Sequence, residues 1–281
     1  MTGFMTNAMT DSPAKGLGIV ACDVVKNELE RVRENKDVRL RCLEYALHEK
    51  PKEMPGAIVK AVEEMLATGE VGKVALGYGL CSNGTVGVSC RNGTVVPRCH
   101  DCISMLLGSP ARYMKMFREC PGTYFLTDGW IRNRGDPVST VEFRYAPKMG
   151  EKKAWKGMKL ELANYKRICF VNNGVGDEDA LRRRALENAK AFDKEFMEVK
   201  ADLGFFEKLV GGSTDEDCFI ILGPGEKVDE GMFYASPETF PLTPAITAAI
   251  APAIAPALAP ATPPSPATAT EPDPAGAGLG R

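Results

Sequence analysis

Short apolar runs alternate with stretches of helical periodicity along most of this sequence, and that alternation leaves few folds open. Gly18-Ile19-Val20-Ala21-Cys22 fits a buried first strand, and Asp23 can cap a helix running to about residue 34. Residues 38–45 alternate with period two, as a half-buried second strand whose Cys42 shares the apolar parity of Val38 and Leu40. Pro55 opens a helix to about residue 68, with Ile58, Val59, Val62, Met65 and Leu66 on one face and Gly69 as its stop. Residues 74–78 and 94–98 read as two further buried strands. Helices are expected at 103–107 and 111–119, then a strand at 122–127 that ends on Asp128-Gly129-Trp130. Tryptophan there is more often core than pocket wall.

Residues 131–150 read as polar and irregular, with a strand at 141–143, and 151–165 as a helix rich in lysine on its solvated side. A second series follows: strand 167–171, helix 177–196, strand 197–201, helix 203–210 and strand 218–222. The pattern predicts an α/β fold: a mainly parallel, Rossmann-like layered sheet with helices on both faces. The later series suggests two lobes, 17–150 and 151–233, with a cleft between them. Residues 1–16 read as a flexible leader without the apolar core of a signal peptide. Residues 234–281 are alanine, proline and threonine with almost no charge, a composition that predicts a disordered tail.

Charge and cysteine usage narrow the function. With 35 basic and 37 acidic residues interspersed, no basic stripe for nucleic acid is present. No apolar run reaches the ~20 residues needed to span a bilayer. Nine cysteines, an odd number set mostly in strands and turns, do not resemble a secreted disulfide framework and point to a reducing cytoplasm.

The chemistry concentrates between Lys73 and Gly108. Two strands end there in polar turns, Cys81-Ser82-Asn83-Gly84 and Cys99-His100-Asp101-Cys102. Parallel strands place such turns at one sheet edge, where open α/β folds carry their sites. The two turns are therefore expected to face each other. Asp101 is a natural N-cap, which puts Cys102 in the first turn of a helix, where the dipole should lower its pKa. Gly77 and Gly79 do not complete a dinucleotide fingerprint. With Asn83 and Gly84 they form a candidate loop for an anion or substrate. The other histidine, His48, lies in a polar stretch and reads as a solvated loop residue.

The segments ACDVVKNELE, LGYGLCSNG, VPRCHDCISMLLGS and GTYFLTDGWI resemble the DUF1638 family, over about residues 17–226. The resemblance implies no assigned reaction. It implies company with corrinoid-dependent methyl-transfer systems, so corrinoid methyl-transfer proteins or a small-molecule substrate are the expected partners. The family's HDC turn is matched by His100, Asp101 and Cys102, its GLC turn by Cys81, and its first-strand cysteine by Cys22. Cys99 is an addition to that pattern.

Two chemistries suit these residues. In the first, Cys22, Cys81, His100 and Cys102 bind one soft metal, zinc by default. In the second, no metal is present, and Cys81 and Cys102 act as catalytic thiols with His100, in racemisation or acyl transfer. A non-catalytic binding module, whose cysteines merely pack, is the third reading. The metal reading leads, because three or four soft ligands at one edge exceed what a thiol enzyme needs.

Overall fold

β1 (Gly16–Cys22) is the strand from which the first sheet grows, and its GLGIVAC run is buried from Gly18 onward. A strand covered on both faces needs apolar residues at every position, not at alternate ones. The computed structural model describes residues 16–234. The expected leader and the Ala/Pro-rich tail lie outside the described residues, except at Gly16 and Tyr234. β1 pairs in parallel with β2 (Val38–Leu43) on one side and β3 (Val71–Gly77) on the other. β3 pairs in parallel with β4 (Thr94–Pro97), and β8 (Phe219–Leu222) closes that side antiparallel to β4. The order is β2-β1-β3-β4-β8. β2 alternates buried and exposed positions in its first half, as an edge strand should.

A second, three-stranded sheet is wholly parallel, with β5 (Thr123–Leu126) and β7 (Glu195–Lys200) flanking β6 (Arg167–Asn172). The fold is thus mixed α/β and mostly parallel. The strands do not divide at residue 150. β5 joins the later series, and β8 returns to the first sheet.

Helices form where apolar residues recur every three or four positions. α1 (Lys26–Arg33) follows a 3-10 turn at Asp23–Val25. α2 (Met54–Ala67) buries Ile58, Ala61, Val62, Met65 and Leu66 on one face. Met65 packs so closely on β1 that a β-carbon at Gly18 would lie 2.2 Å from its sulfur. α3 (Cys102–Leu106), α4 (Pro110–Glu119) and α5 (Asp128–Arg132) follow β4 and β5.

The irregular stretch expected at 131–150, with a strand at 141–143, is helical. Short turns α6 (Pro137–Ser139) and α7 (Ala146–Met149) flank a π-helical segment, Thr140–Tyr145. Asp136 caps its start through Ser139 N, and Val138 and Val141 pack with Ala154 and Met158 of α8 (Glu151–Glu161). α9 (Glu178–Ala191) covers the second sheet through Leu181, Ala185 and Ala189, and α10 (Gly204–Val210) packs against α1. Among the described residues no helix is long and apolar enough to cross a membrane.

Candidate functional site

All strands of the first sheet except β8 run the same way, so the turns after β1, β2, β3 and β4 share one edge. The β3 and β4 turns do face each other. Leu80 N donates to Cys99 O at 2.9 Å and Cys81 N to His100 O at 2.8 Å, prolonging the pairing beyond the strands. Gly79 permits this approach: a β-carbon there would sit 2.5 Å from Cys99 O and 2.9 Å from Cys99 Sγ. Cys81, Ser82 and Asn83 then adopt φ of 48°, 56° and 63°, three consecutive non-glycine residues in the left-handed region.

The glycines of the candidate anion loop are accounted for by the chain itself. A β-carbon at Gly77 would meet Ala21 Cβ at 2.5 Å, and one at Gly84 would meet Met54 Sδ at 2.6 Å. Gly84 N donates to Cys81 O, and Asn83 Nδ2 to Glu230 Oε2 at 3.3 Å.

Cys22 ends β1, and its Sγ accepts from Val24 N at 3.5 Å. The same sulfur lies 3.0 Å from His48 Nε2. His48 is therefore not a solvated loop residue. β2 delivers it to the common edge, and a 3-10 turn at Tyr45–Glu49 folds it inward. Its ring packs 5.6 Å from Tyr45 and 5.9 Å from Trp130, which meet edge to face at 5.6 Å. Trp130 is partly buried against both apolar clusters, its ring against His48 and Tyr45. Burial pushes the Cys22 thiol up to about 12 and the His48 imidazole down to about 4, so both are neutral at physiological pH.

Asp101 caps α3 as expected, accepting from Ile103 N at 3.0 Å, and its charge adds to the rise that burial imposes on the Tyr113 hydroxyl. His100 Nδ1 stands 3.7 Å from Asp101 Oδ2. Cys102 opens α3, but its pKa does not fall. Burial drives the thiol well above its ordinary value, and the neighbouring Cys81 and Cys22 add to the rise. A five-residue helix has too weak a dipole to offset full desolvation. Cys81 and Cys99 are raised for the same reason, Cys81 partly by Cys22.

All nine cysteines are free thiols. Cys22, Cys81 and Cys102 thus come from three strand ends into electrostatic reach of one another. Among the described residues, however, no three His, Cys, Asp or Glu side chains stand together as a group able to hold a metal ion. The expected four-ligand set is not preformed.

The second sheet meets this edge through α5. A β-carbon on Gly129 would lie 1.8 Å from Val24 O. Arg132 binds Asp23 through both its carboxylate and its carbonyl at 2.6 Å, and Asn27 Nδ2 donates to Asp128 Oδ2 at 2.7 Å. Sequence reasoning missed these groups along with His48. One signal was available for His48: a turn following a parallel neighbour of β1 must lie at the edge that holds Cys22. An open depression of about 530 Å³, lined by residues such as Gly16, Val38 and Gly72, sits at the opposite, N-terminal edge, away from the thiols.

A family model described as a protein of unknown function, DUF1638, matches residues 42–210, and the chain belongs to that family. The match takes in His48, Cys81, His100 and Cys102 and begins after Cys22. No curated protein and no solved structure matches the chain.

Proposed function

We propose that this protein binds one soft divalent metal ion, zinc by default, through Cys22, Cys81, Cys102 and an imidazole, in a cytoplasmic setting. The site would lie in a cleft between two Rossmann-like lobes. The observation that carries this reading is the neutral Cys22–His48 pair.

A catalytic cysteine–histidine dyad works as thiolate and imidazolium. Here burial pushes the thiol up to about 12 and the imidazole down to about 4, and both shifts oppose that ion pair. A metal-free thiol enzyme, whether on this pair or on Cys81 and Cys102 with His100, is therefore the weaker reading. A dication beside the sulfur changes the balance, because it deprotonates a coordinating thiol outright. Neutral imidazole is already the form a metal takes.

The donor chemistry fits a soft ion. His48, in contact with Cys22, is the better imidazole candidate, since His100 stands beside Asp101. Loading has to bring the three sulfurs together, because the group is not gathered beforehand. A position left open on the metal would suit activation of a substrate thiol or water. That chemistry is compatible with the corrinoid-linked methyl transfer implied by the family resemblance.

The test is metal analysis of reduced protein purified without added zinc, followed by cobalt titration. One metal per chain and sulfur-to-cobalt charge-transfer bands are expected. Cys22→Ser and Cys102→Ser should lose both, while Cys42→Ser, Cys90→Ser and Cys120→Ser keep them. Wild-type protein that binds neither zinc nor cobalt overturns the reading.

A further inference from the structure

Lys208 Nζ donates to Asp215 Oδ2 at 2.9 Å and to Cys218 Sγ at 3.5 Å. The backbones that carry this amine and this sulfur are both anchored. Lys208 lies on α10, which is pinned by buried Phe205, Phe206 and Leu209. Cys218 directly precedes β8, where Arg98 N donates to its carbonyl at 2.8 Å and its own N–H donates to Asp215 O at 3.0 Å. The turn between them is tied as well, by Ser213 N to Lys208 O at 3.0 Å and Asp217 N to Asp215 Oδ1 at 3.2 Å. Only the lysine side chain is free to swing, and Asp215 leashes it beside the sulfur. Solvent reaches the pair, since Lys208 is about half exposed and Cys218 partly so. Cys42 and Cys120 are the other partly exposed thiols, and among the described residues neither is hydrogen-bonded to an amine.

We propose that Lys208 and Cys218 form a redox modification site, at which a peroxide joins the two side chains through a sulfur–nitrogen bond. The Cys218 thiolate attacks one peroxide oxygen. An S–O bond forms, the O–O bond breaks, hydroxide leaves, and the sulfur is oxidised by two electrons to sulfenic acid. The neutral Lys208 amine then attacks that sulfur. An S–N bond forms, the S–O bond breaks, and the departing hydroxide takes the amine proton as water. In sum, one thiol, one amine and one peroxide give a sulfenamide and two waters. The amine here plays the part of the resolving thiol beside a sensor cysteine, and external thiols reverse the link. The bond ties the end of α10 to the start of β8, the strand that closes the first sheet. Asp215 positions the amine but also raises its pKa through their hydrogen bond. Burial raises the Cys218 thiol, Asp215 adds to the rise and Lys208 opposes it. Both reactive forms therefore become commoner as pH rises, and linking should quicken with them.

The experiment treats reduced full-length protein with hydrogen peroxide at pH 7 and pH 9, blocks the remaining thiols in denaturant, and maps the product by mass spectrometry. A product lighter by two hydrogens is expected, with one of the nine thiols consumed, whereas a disulfide of the same mass would consume two. Trypsin should no longer cut after Lys208, whose peptide should be joined to the one holding Cys218, and dithiothreitol should undo both changes. The initial rate should rise by about tenfold or more between the two pH values, as expected of a thiol and an amine titrating above neutrality. Lys208→Arg keeps a positive charge near the sulfur but lacks the attacking amine. Its Cys218 should stop at the sulfenic acid and be trapped by dimedone without a link. Wild-type Cys218 that oxidises without joining Lys208, or peroxide that consumes Cys42 or Cys120 and spares Cys218, overturns the inference. None of these readouts involves metal uptake, so the inference stands or falls apart from the metal reading.

Discussion

Asn173 Nδ2 donates to Glu28 Oε1 at 2.8 Å across the junction of the two sheets, and both side chains are buried. The other carboxyl oxygen, Oε2, has no partner. Burial holds this acid up at about 7, with Asp128 adding to the rise and Asn173 opposing it. In the unfolded chain the group titrates near 4.5. Between those values the folded state holds the extra proton, so the contribution of Glu28 to stability is fully present below about 4.5 and lost as pH rises through about 7. The loss amounts to about 3 kcal/mol. His48, lowered to about 4, slopes the other way below 6.5. The readout is therefore the difference between wild type and Glu28→Gln in urea midpoint from pH 4.5 to 8. Glu28→Gln should lack the decline, and parallel profiles would sink the idea.

Gly129 is irreplaceable where Gly157 is not. A β-carbon at 129 would press 1.8 Å from Val24 O and 2.5 Å from Val24 C, both backbone atoms that cannot swing aside. Gly129→Ala should cost about 1–3 kcal/mol and loosen the contact of the neighbouring Trp130 with His48. Gly157 sits inside α8 with nothing within 4 Å of a new β-carbon, so Gly157→Ala should stabilise by about 0.5–1 kcal/mol. Thermal melts of the two variants moving in the same direction would contradict this account.

Ser82 is exposed and held at φ 56° between two other left-handed residues. An L-residue pays roughly 1–2 kcal/mol for that conformation, and glycine escapes it. Part of the relief is returned as unfolded-state entropy. Ser82→Gly should therefore raise stability by about 0.5–1 kcal/mol while leaving metal uptake unchanged. A lower melting temperature would mean that the serine hydroxyl, not the backbone, holds the turn.

Most strands were legible as dense apolar runs and β2 as a period-two alternation, and the two facing turns were legible because parallel topology fixes where strand ends go. His48 was not. Its local sequence is polar, and what draws it inward is packing against Trp130 and Cys22, far away in the chain. The π-helical segment at Thr140–Tyr145 was missed for a related reason. Its extra residue per turn breaks the 3.6 spacing, leaving Val141 and Phe143 to mimic a strand. The partners of β5 and β8 are a matter of tertiary pairing, on which residue patterns are silent. The Cys102 pKa went the other way because burial, unlike helix position, cannot be read from its neighbours in sequence.

Metal uptake should release protons in a number that identifies the ligands. Cys22, Cys81 and Cys102 are all raised by burial and enter as thiols, so each must give up a proton to bind. His48, lowered to about 4, is already neutral and gives up none. Calorimetry at pH 7 in buffers of different ionisation enthalpy should therefore report about three protons per zinc, and log affinity should climb by about three per pH unit. Because His48 protonates only well below pH 6, no further loss from the imidazole should show until the pH approaches 4. His48→Ala should abolish tight uptake and His100→Ala should spare it. The reverse outcome would return the imidazole role to His100 beside Asp101. Release of about one proton would mean that a single thiol is engaged, and the tris-thiolate assignment would fall.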